Sequence, residues 1–331
     1  MKTTTNSNSS PFFSVIVPVY NKAPHIKRSI DSILNQTFSN FEIIIVDDAS
    51  TDNSLDEIYK FDDSRITLYH REKPGAGGYA ARNLGIEKAT AEWIAFLDAD
   101  DEWEVFHLQQ IAEAIAEYPD IKVFASKWKT FENNKLHSNN FSPYAKKWEI
   151  ISFVDFLKLS VKSSSPFWTS TIVINKHTLK TAGGFPEGKA GRGGDVDTWL
   201  RVMDTAQKGL LIYKETAIYY RDSINMTTKS SYTDPTIHFD TTNFLLNKYH
   251  NAAIKELLEK RANNIAVRNW KINLFFLKKN FRLRLFFYPD YASFTHKIYC
   301  NFDYLPFNLK KTIFHFFFAL NQLIRKSDHS V

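Results

Sequence analysis

The first hundred positions alternate between apolar and polar residues in blocks rather than one by one. Phe12–Val19 (FFSVIVPV) and Phe41–Val46 (FEIIIV) are nearly continuous apolar runs rich in β-branched residues. That is the pattern of strands covered on both faces of a parallel sheet. Pro18 is expected to end the first of them, because proline cannot donate to a sheet ladder. Between the two runs Ile26, Ile30, Ile33 and Leu34 recur at helical spacing up to Gln36. Strand, helix and strand follow one another in one short stretch, which predicts a doubly wound, mostly parallel α/β sheet flanked by helices. Ser50 or Asp52 is placed to cap the next helix, which carries Leu55 and Ile58.

The pattern continues with a short strand at Arg65–Tyr69, a glycine loop at Gly75–Gly78 and a helix over Tyr79–Lys88. Small residues in that helix let it lie close to the sheet. Trp93–Leu97 reads as a buried strand, followed by an amphipathic helix from Trp103 to Tyr118 and a strand near Ile121–Ser126. From Lys127 to Val161 the periodicity is weaker. Thr169–Ile174 predicts another strand, and Trp199, Val202 and Met203 share one face of a helix that follows the glycine-rich loop Gly188–Gly194.

Candidate chemistry gathers where the apolar runs end. The strand at Trp93 delivers Asp98, Asp100 and Asp101, three carboxylates in four positions. Such a cluster repels itself unless it is solvated or neutralised by a cation, and a hard divalent ion with oxygen ligands suits the carboxyl end of a parallel strand. The alternative is that these residues cap the helix starting near Glu102. Asp195, at the first turn of its helix, is likewise a helix cap or a functional carboxylate. The glycine loop lacks the spacing of a dinucleotide fingerprint and the lysine of a P-loop, which disfavours a dinucleotide fold or an ATPase. Arg71 and Lys73, just before it, read as solvated loop charges in preference to phosphate ligands.

Composition narrows the classes further. The chain has 331 residues, enough for one large or two modest domains, a formal charge of +6 and a sequence pI near 9.0. The positive excess sits late: Lys248–Lys326 holds fifteen Lys and Arg against four Asp and Glu. One cysteine, Cys300, excludes an internal disulfide framework and a cysteine-based zinc site. Neither a secretory signal in Met1–Ser10 nor an apolar run long enough to span a bilayer is evident, so a cytoplasmic protein is expected.

In order, VIVPVYN (15–21), IIVDDASTDNS (44–54), GGYAARNLGI (77–86), WIAFLDADD (93–101), GGF (183–185) and GDVDTWLRV (194–202) resemble the family 2 inverting glycosyltransferases of the GT-A fold, of the bacterial surface-polysaccharide type. The resemblance covers residues 12 to 222. It implies transfer of a sugar from a nucleotide diphosphate donor, with UDP the expected nucleotide, to a hydroxyl of a glycan or lipid-linked glycan, with inversion. It also implies that Pro18, Val19 and Tyr20 line the base pocket, that Asp48 or Asp47 holds base or ribose, and that Arg82 lies beside the nucleotide. Asp98 is expected toward the ribose, Asp100 on a divalent cofactor (Mg²⁺ or Mn²⁺), and Asp195 as general base. The chain departs from the family's common Glu-Asp pair, because Gly194 stands where the first acid is usual, and Asp197 is a rival for the second.

The expected division is a disordered tail at 1–11, a catalytic domain at 12–222 and a mainly helical, basic, Phe-rich region at 223–331. Asn225–Thr236 reads as a linker next to the acceptor cleft. Apolar positions Phe239, Phe244, Leu245, Ile254, Leu257 and Leu258 predict helices after it. The Phe-rich basic clusters at 270–287 and Ile313–Leu323 suit an anionic membrane surface, which adds a peripheral position on the inner face of the cell membrane, or else a bundle with solvated charges. Nucleic acid is not an expected partner. A sugar nucleotidyltransferase would want a basic glycine loop after the first strand, and a non-catalytic carbohydrate-binding protein would not need Asp48, Asp98, Asp100 and Asp195 together.

Overall fold

The computed structural model describes residues 10–138, 147–162, 165–224, 235–274, 282–306, 308, 309 and 312. Those of 10–159 and 165–224 form one compact unit, and those of 160–162 and from 235 onward a second.

The first unit is built on β1 (Phe13–Val19), β2 (Phe41–Asp47), β3 (Ile66–His70) and β4 (Trp93–Phe96), all parallel, in the order β3-β2-β1-β4. Helix α1 (Ala23–Leu34) joins β1 to β2, and α2 (Ser54–Ile58) joins β2 to β3. Helix α3 (Tyr79–Lys88) returns the chain to β4 and lies close on the sheet. Gly85 permits this: a Cβ there would stand 2.5 Å from Ile16. The apolar runs of β1 and β2 are buried as predicted, and Val15, Val17 and Val19 enter the same core as Ile26, Ile30 and Ile33 of α1.

Pro18 does not end β1, which continues to Val19. The Ile16 carbonyl faces β4, where it accepts from the Leu97 amide at 3.1 Å. Alternation points the Pro18 nitrogen to that same side, beyond the last β1–β4 pair at Ile16 and Phe96, so no ladder bond is lost. Neither Ser50 nor Asp52 is the N-cap of α2, which is Asn53. Asp52 instead accepts from the backbone of Ser54 and, at 3.1 Å, of Ala23, so it serves the start of α1 as well.

Past β4 the sheet is mixed rather than mostly parallel. β9 (Ile172–Asn175) pairs antiparallel with β4, and β6 (Val123–Glu132) antiparallel with β9. β10 (Lys208–Tyr220) is parallel to β6 and carries β5 (Glu102–Trp103) and β8 (Trp148–Ser152) antiparallel. β7 (Lys135–Ser138) is a hairpin partner of β6. The helix expected from Trp103 begins only at His107: Glu102 and Trp103 are claimed by β10, and α4 runs His107–Glu117. Residues 169–171 form a helical turn before β9 rather than strand. α5 (Phe153–Lys162), α6 (Lys176–Thr181) and α7 (Gly194–Ala206) complete the order.

In the second unit α8 (Thr236–Lys248), α9 (Ala252–Ile272) and α10 (Phe294–Phe302) are helices, as the sequence predicts. Trp270, Ala266, Val267, Leu274 and Leu283 form their own small core. Of the expected linker Asn225–Thr236, residues 225–234 lie outside the described residues and Thr236 already opens α8, while the cluster at Ile313–Leu323 lies outside them as well. No helix among the described residues is long and apolar enough to cross a membrane.

Candidate active site

Because β1, β2 and β4 are parallel, the residues that follow them emerge along one edge of the sheet, where open α/β folds bind ligands. Pro18–Tyr20, Asp47–Asp48 and Asp98–Asp101 meet there. The loops are stitched side by side by Asn21, whose side chain accepts from the Thr51 amide at 2.7 Å while its own amide donates to Ser50 Oγ at 3.0 Å. Asn21 and Ala49 both sit at positive φ, 51° and 60°, a conformation Asn tolerates and Ala seldom adopts.

Tyr20 is exposed and Pro18 half-buried, but Val19 is enclosed, contrary to a pocket-lining role for its side chain. Strand alternation sends Val19 into the core with Val15 and Val17. Its carbonyl accepts from the Asp48 amide at 2.7 Å.

Asp47 and Asp48 are both buried. Asp47 accepts from the Ser50 amide at 3.2 Å and lies 3.7 Å from His70 Nδ1. Asp48 accepts from the Gly75 amide at 3.0 Å and is ion-paired with Arg71, which also reaches Glu187 at 3.7 Å. Arg71 is therefore neither a solvated loop charge nor positioned as a lone phosphate ligand. It ties the end of β2 to the glycine loop.

Arg82 is buried at the first turn of α3 and is ion-paired with Asp98 across the mouth of the sheet. Its other nitrogen donates to the Gly77 carbonyl at 3.0 Å. Asp100 is paired at 2.6 Å with Lys22, and its own carbonyl accepts from Arg28. Asp101 is buried, accepts from Ser170 Oγ at 2.7 Å, and has its pKa pushed well above the usual carboxylate range by burial first and then by Asp100 and Asp98. The three acids thus do not act as one unit: each has its own partner.

Asp195 reaches this edge from α7, nearly one hundred residues later. Burial raises the pKa of its carboxyl, and the charge of Asp98 adds to the rise, while the Val196 amide and Arg82 oppose it. Arg82 thus feels Asp98 and Asp195 together. Asp197, the rival, is buried on the flank of α7 in an ion pair with Arg201 at 2.9 Å. The Tyr79 hydroxyl accepts from the Gly194 amide at 2.8 Å, and the Tyr79 ring stacks on Phe185. Asn83 holds Phe185 from both sides, accepting from its amide at 2.9 Å and donating to its carbonyl at 3.0 Å. This fixes Gly183–Gly184, both at positive φ, beneath the start of α7.

Sequence reasoning missed Lys22, Tyr79 and Asn83. Asn83 sits beside Arg82 in GGYAARNLGI (77–86), and a polar side chain on an otherwise packed helix is a usable signal. Lys22 and Tyr79 carry none, since their partners are 78 and 115 residues away.

Asp98 and Asp100 offer the hard oxygen donors a divalent ion prefers. Among the described residues no group of three or more His, Cys, Asp or Glu is gathered to hold a metal by itself. The donor set fits an ion that takes one carboxylate, Asp100, and completes its shell from phosphate oxygens, as Mg²⁺ commonly does.

The family model for glycosyl transferase family 2 matches residues 14–177. Among curated proteins, glycosyltransferase GlyG of Streptococcus pneumoniae serotype 4 is 42% identical over 94 residues, 28% of this chain and 31% of its own. TuaG of Bacillus subtilis, a candidate teichuronic acid biosynthesis glycosyltransferase, is 37% identical over 113 residues, 34% of this chain and 44% of its own. The uncharacterized glycosyltransferase YibD of Escherichia coli K12 is 30% identical over 188 residues, 54% of each chain. The match thus spans about half the length of these relatives or less. Among solved structures, S. aureus TarS 1–349 in complex with UDP-GlcNAc superposes with a TM-score of 0.68 at 22% identity, covering 79% of this chain and 74% of that one. The mannosyltransferase PcManGT of Pyrobaculum calidifontis, in complex with GDP-Man and Mn²⁺, does so with 0.52 at 17% identity, covering 92% and 87%. The fold is that of the GT-A enzymes, and over residues 14–177 the chain matches glycosyl transferase family 2.

Proposed function

We propose that the protein is an inverting glycosyltransferase that moves a sugar from a nucleotide diphosphate donor, a UDP-sugar, to a hydroxyl of a glycan or lipid-linked glycan of the bacterial surface. One observation carries the reading: Asp98 from the end of β4 and Asp195 from the start of α7 face the same buried guanidinium, Arg82. Donor-side and acceptor-side carboxylates are thereby brought to one place.

In this reading Pro18 and Tyr20 border the base, and Asp48, locked by Arg71 and Gly75, is positioned for base or ribose, with Asp47 fixing the loop behind it. Asp98, oriented by Arg82, meets the ribose. Asp100 would hold a divalent ion, which supplies Lewis-acid neutralisation of the charge that develops on the departing diphosphate. PcManGT, in complex with GDP-Man and Mn²⁺, and TarS, in complex with UDP-GlcNAc, support a nucleotide-sugar donor and a divalent ion.

Asp195 takes the proton of the incoming hydroxyl on the face opposite the leaving group. A raised pKa makes its carboxylate a stronger base than an exposed aspartate. Arg82 and the amides at the start of α7 still favour the ionised form. Tyr79 and Asn83 position the loop and helix that carry it.

The surface-glycan acceptor is supported by the likeness to TuaG. The basic, Phe-rich C-terminal region suits a lipid-linked acceptor presented at an anionic membrane face. The test is Asp195→Asn: transfer to acceptor should fall at least about 10²-fold with nucleotide affinity unchanged. Full activity in that variant would remove Asp195 as base.

A further inference from the structure

We propose that Lys22 is a tethered cation of the donor site, whose ammonium neutralises Asp100 in the absence of a divalent ion and competes with that ion for it. The inference rests on the donor-site reading above.

Lys22 lies between the end of β1 and the start of α1, and its backbone is pinned where its amide donates to Ser54 Oγ at 2.8 Å. From there the side chain runs to the end of β4, where Nζ lies 2.6 Å from Asp100 Oδ2 and 2.8 Å from the Ile224 carbonyl. The two side chains are only 13% and 14% exposed, so this pair is far less screened than a surface ion pair. It is a placed charge, not an incidental one.

The neighbouring acids are satisfied differently. Asp98 is gripped by the buried guanidinium of Arg82, and Asp101 accepts from Ser170 and from the Tyr220 amide. Only the Asp100 carboxylate is held by a single ammonium on a flexible four-carbon stem, which can swing away without unpacking the core. The Asp100 main chain is meanwhile fixed by Arg28. A carboxylate with a fixed backbone and a removable counter-ion is suited to exchange one cation for another. The consequence is a weak grip on metal alone. The ion must displace Lys22 before Asp100 becomes a ligand, and one carboxylate repays little of that. Donor phosphates supply the remaining oxygens, so ion and nucleotide bind together and the empty site is guarded against stray divalent ions.

The experiment is Mn²⁺ binding to the full-length protein without nucleotide, read from the loss of the free-ion electron paramagnetic resonance signal. Thermal unfolding checks that each variant is folded. Lys22→Met should bind Mn²⁺ about tenfold more tightly than wild type, the scale of one competing charge pair. The gain should vanish in Lys22→Met/Asp100→Asn. Lys22→Gln reads the same effect should the Met variant not fold. Equal affinity in wild type and Lys22→Met, or a gain that survives loss of Asp100, overturns the proposal. No donor or acceptor is present, so failure here is distinct from failure of the transfer reading, which the Asp195→Asn assay tests.

Discussion

The Tyr79 hydroxyl accepts a hydrogen bond from the Gly194 amide at 2.8 Å, and the Tyr79 ring stands where a side chain at Gly194 would have to go. A Cβ built there would lie 2.6 Å from Pro186 and 2.7 Å from the Tyr79 ring. The missing first acid of the family's common Glu-Asp pair is therefore matched by a bulky neighbour. Tyr79 and Gly194, hydrogen-bonded and closely packed, set the start of α7.

Restoring the acid should be harmful. Gly194→Glu and Gly194→Ala should each lower stability by about 1–3 kcal/mol, the usual cost of overpacking, measured by denaturant unfolding. Gly194→Ala in a Tyr79→Ala background should lose part of that penalty, the remainder coming from Pro186, which still stands 2.6 Å from the added Cβ. Wild-type stability in Gly194→Glu would show that Tyr79 is not the obstacle.

The central elements were legible because their chemistry is local. Phe13–Val19 and Phe41–Asp47 carry buried apolar runs, and Gly85 among small residues announces close packing of α3. The mixed half of the sheet was not legible. β10 is interrupted by Lys214 and Glu215, where bulges shift its register, and β5 is a two-residue strand that exists only because β10 pairs with it. In the site, Asp98, Asp100 and Asp195 stood out as acids at strand and helix ends. Their individual partners, Arg82, Lys22 and the loop held by Tyr79, arise from long-range packing that no spacing encodes.

Arg82 should be indispensable to the fold of the site. Its side chain is 9% exposed and that of Asp98 28%, so removing the cation leaves a carboxylate poorly solvated. Arg82→Met should cost about 3 kcal/mol, the lower end for breaking a buried pair because Asp98 still reaches water. Arg82→Met/Asp98→Asn should recover part of the loss. Additive losses in the double variant would contradict the pairing.

Asp195 makes a prediction with a definite sign. Its pKa is raised in the folded state, chiefly by burial, so its contribution to stability is present below the unfolded value and is lost as pH rises through the folded value. Asp195→Asn should therefore gain stability relative to wild type as pH goes from acid to neutral. In wild type the acidic limb of kcat/KM should lie above the ordinary aspartate range. A stability gain that is constant or shrinks with pH would contradict a raised pKa.

The C-terminal region should recognise charge on a bilayer. Fifteen Lys and Arg against four acids in Lys248–Lys326, with Phe294 and Leu285 exposed, suit an anionic surface. Full-length protein should co-sediment with phosphatidylserine-containing vesicles at low salt, be released as salt rises, and ignore neutral vesicles. Equal binding to both vesicle types would argue against it.

The central claim is that the edge formed by β1, β2 and β4 is a donor site, and nucleotide binding tests it most directly. Thermal unfolding with UDP, dTDP, GDP and CDP, each with and without Mn²⁺, should show stabilisation by UDP that requires the metal and disappears in Asp100→Ala. Stabilisation by none of the four, or by UDP equally in Asp100→Ala, would contradict the account.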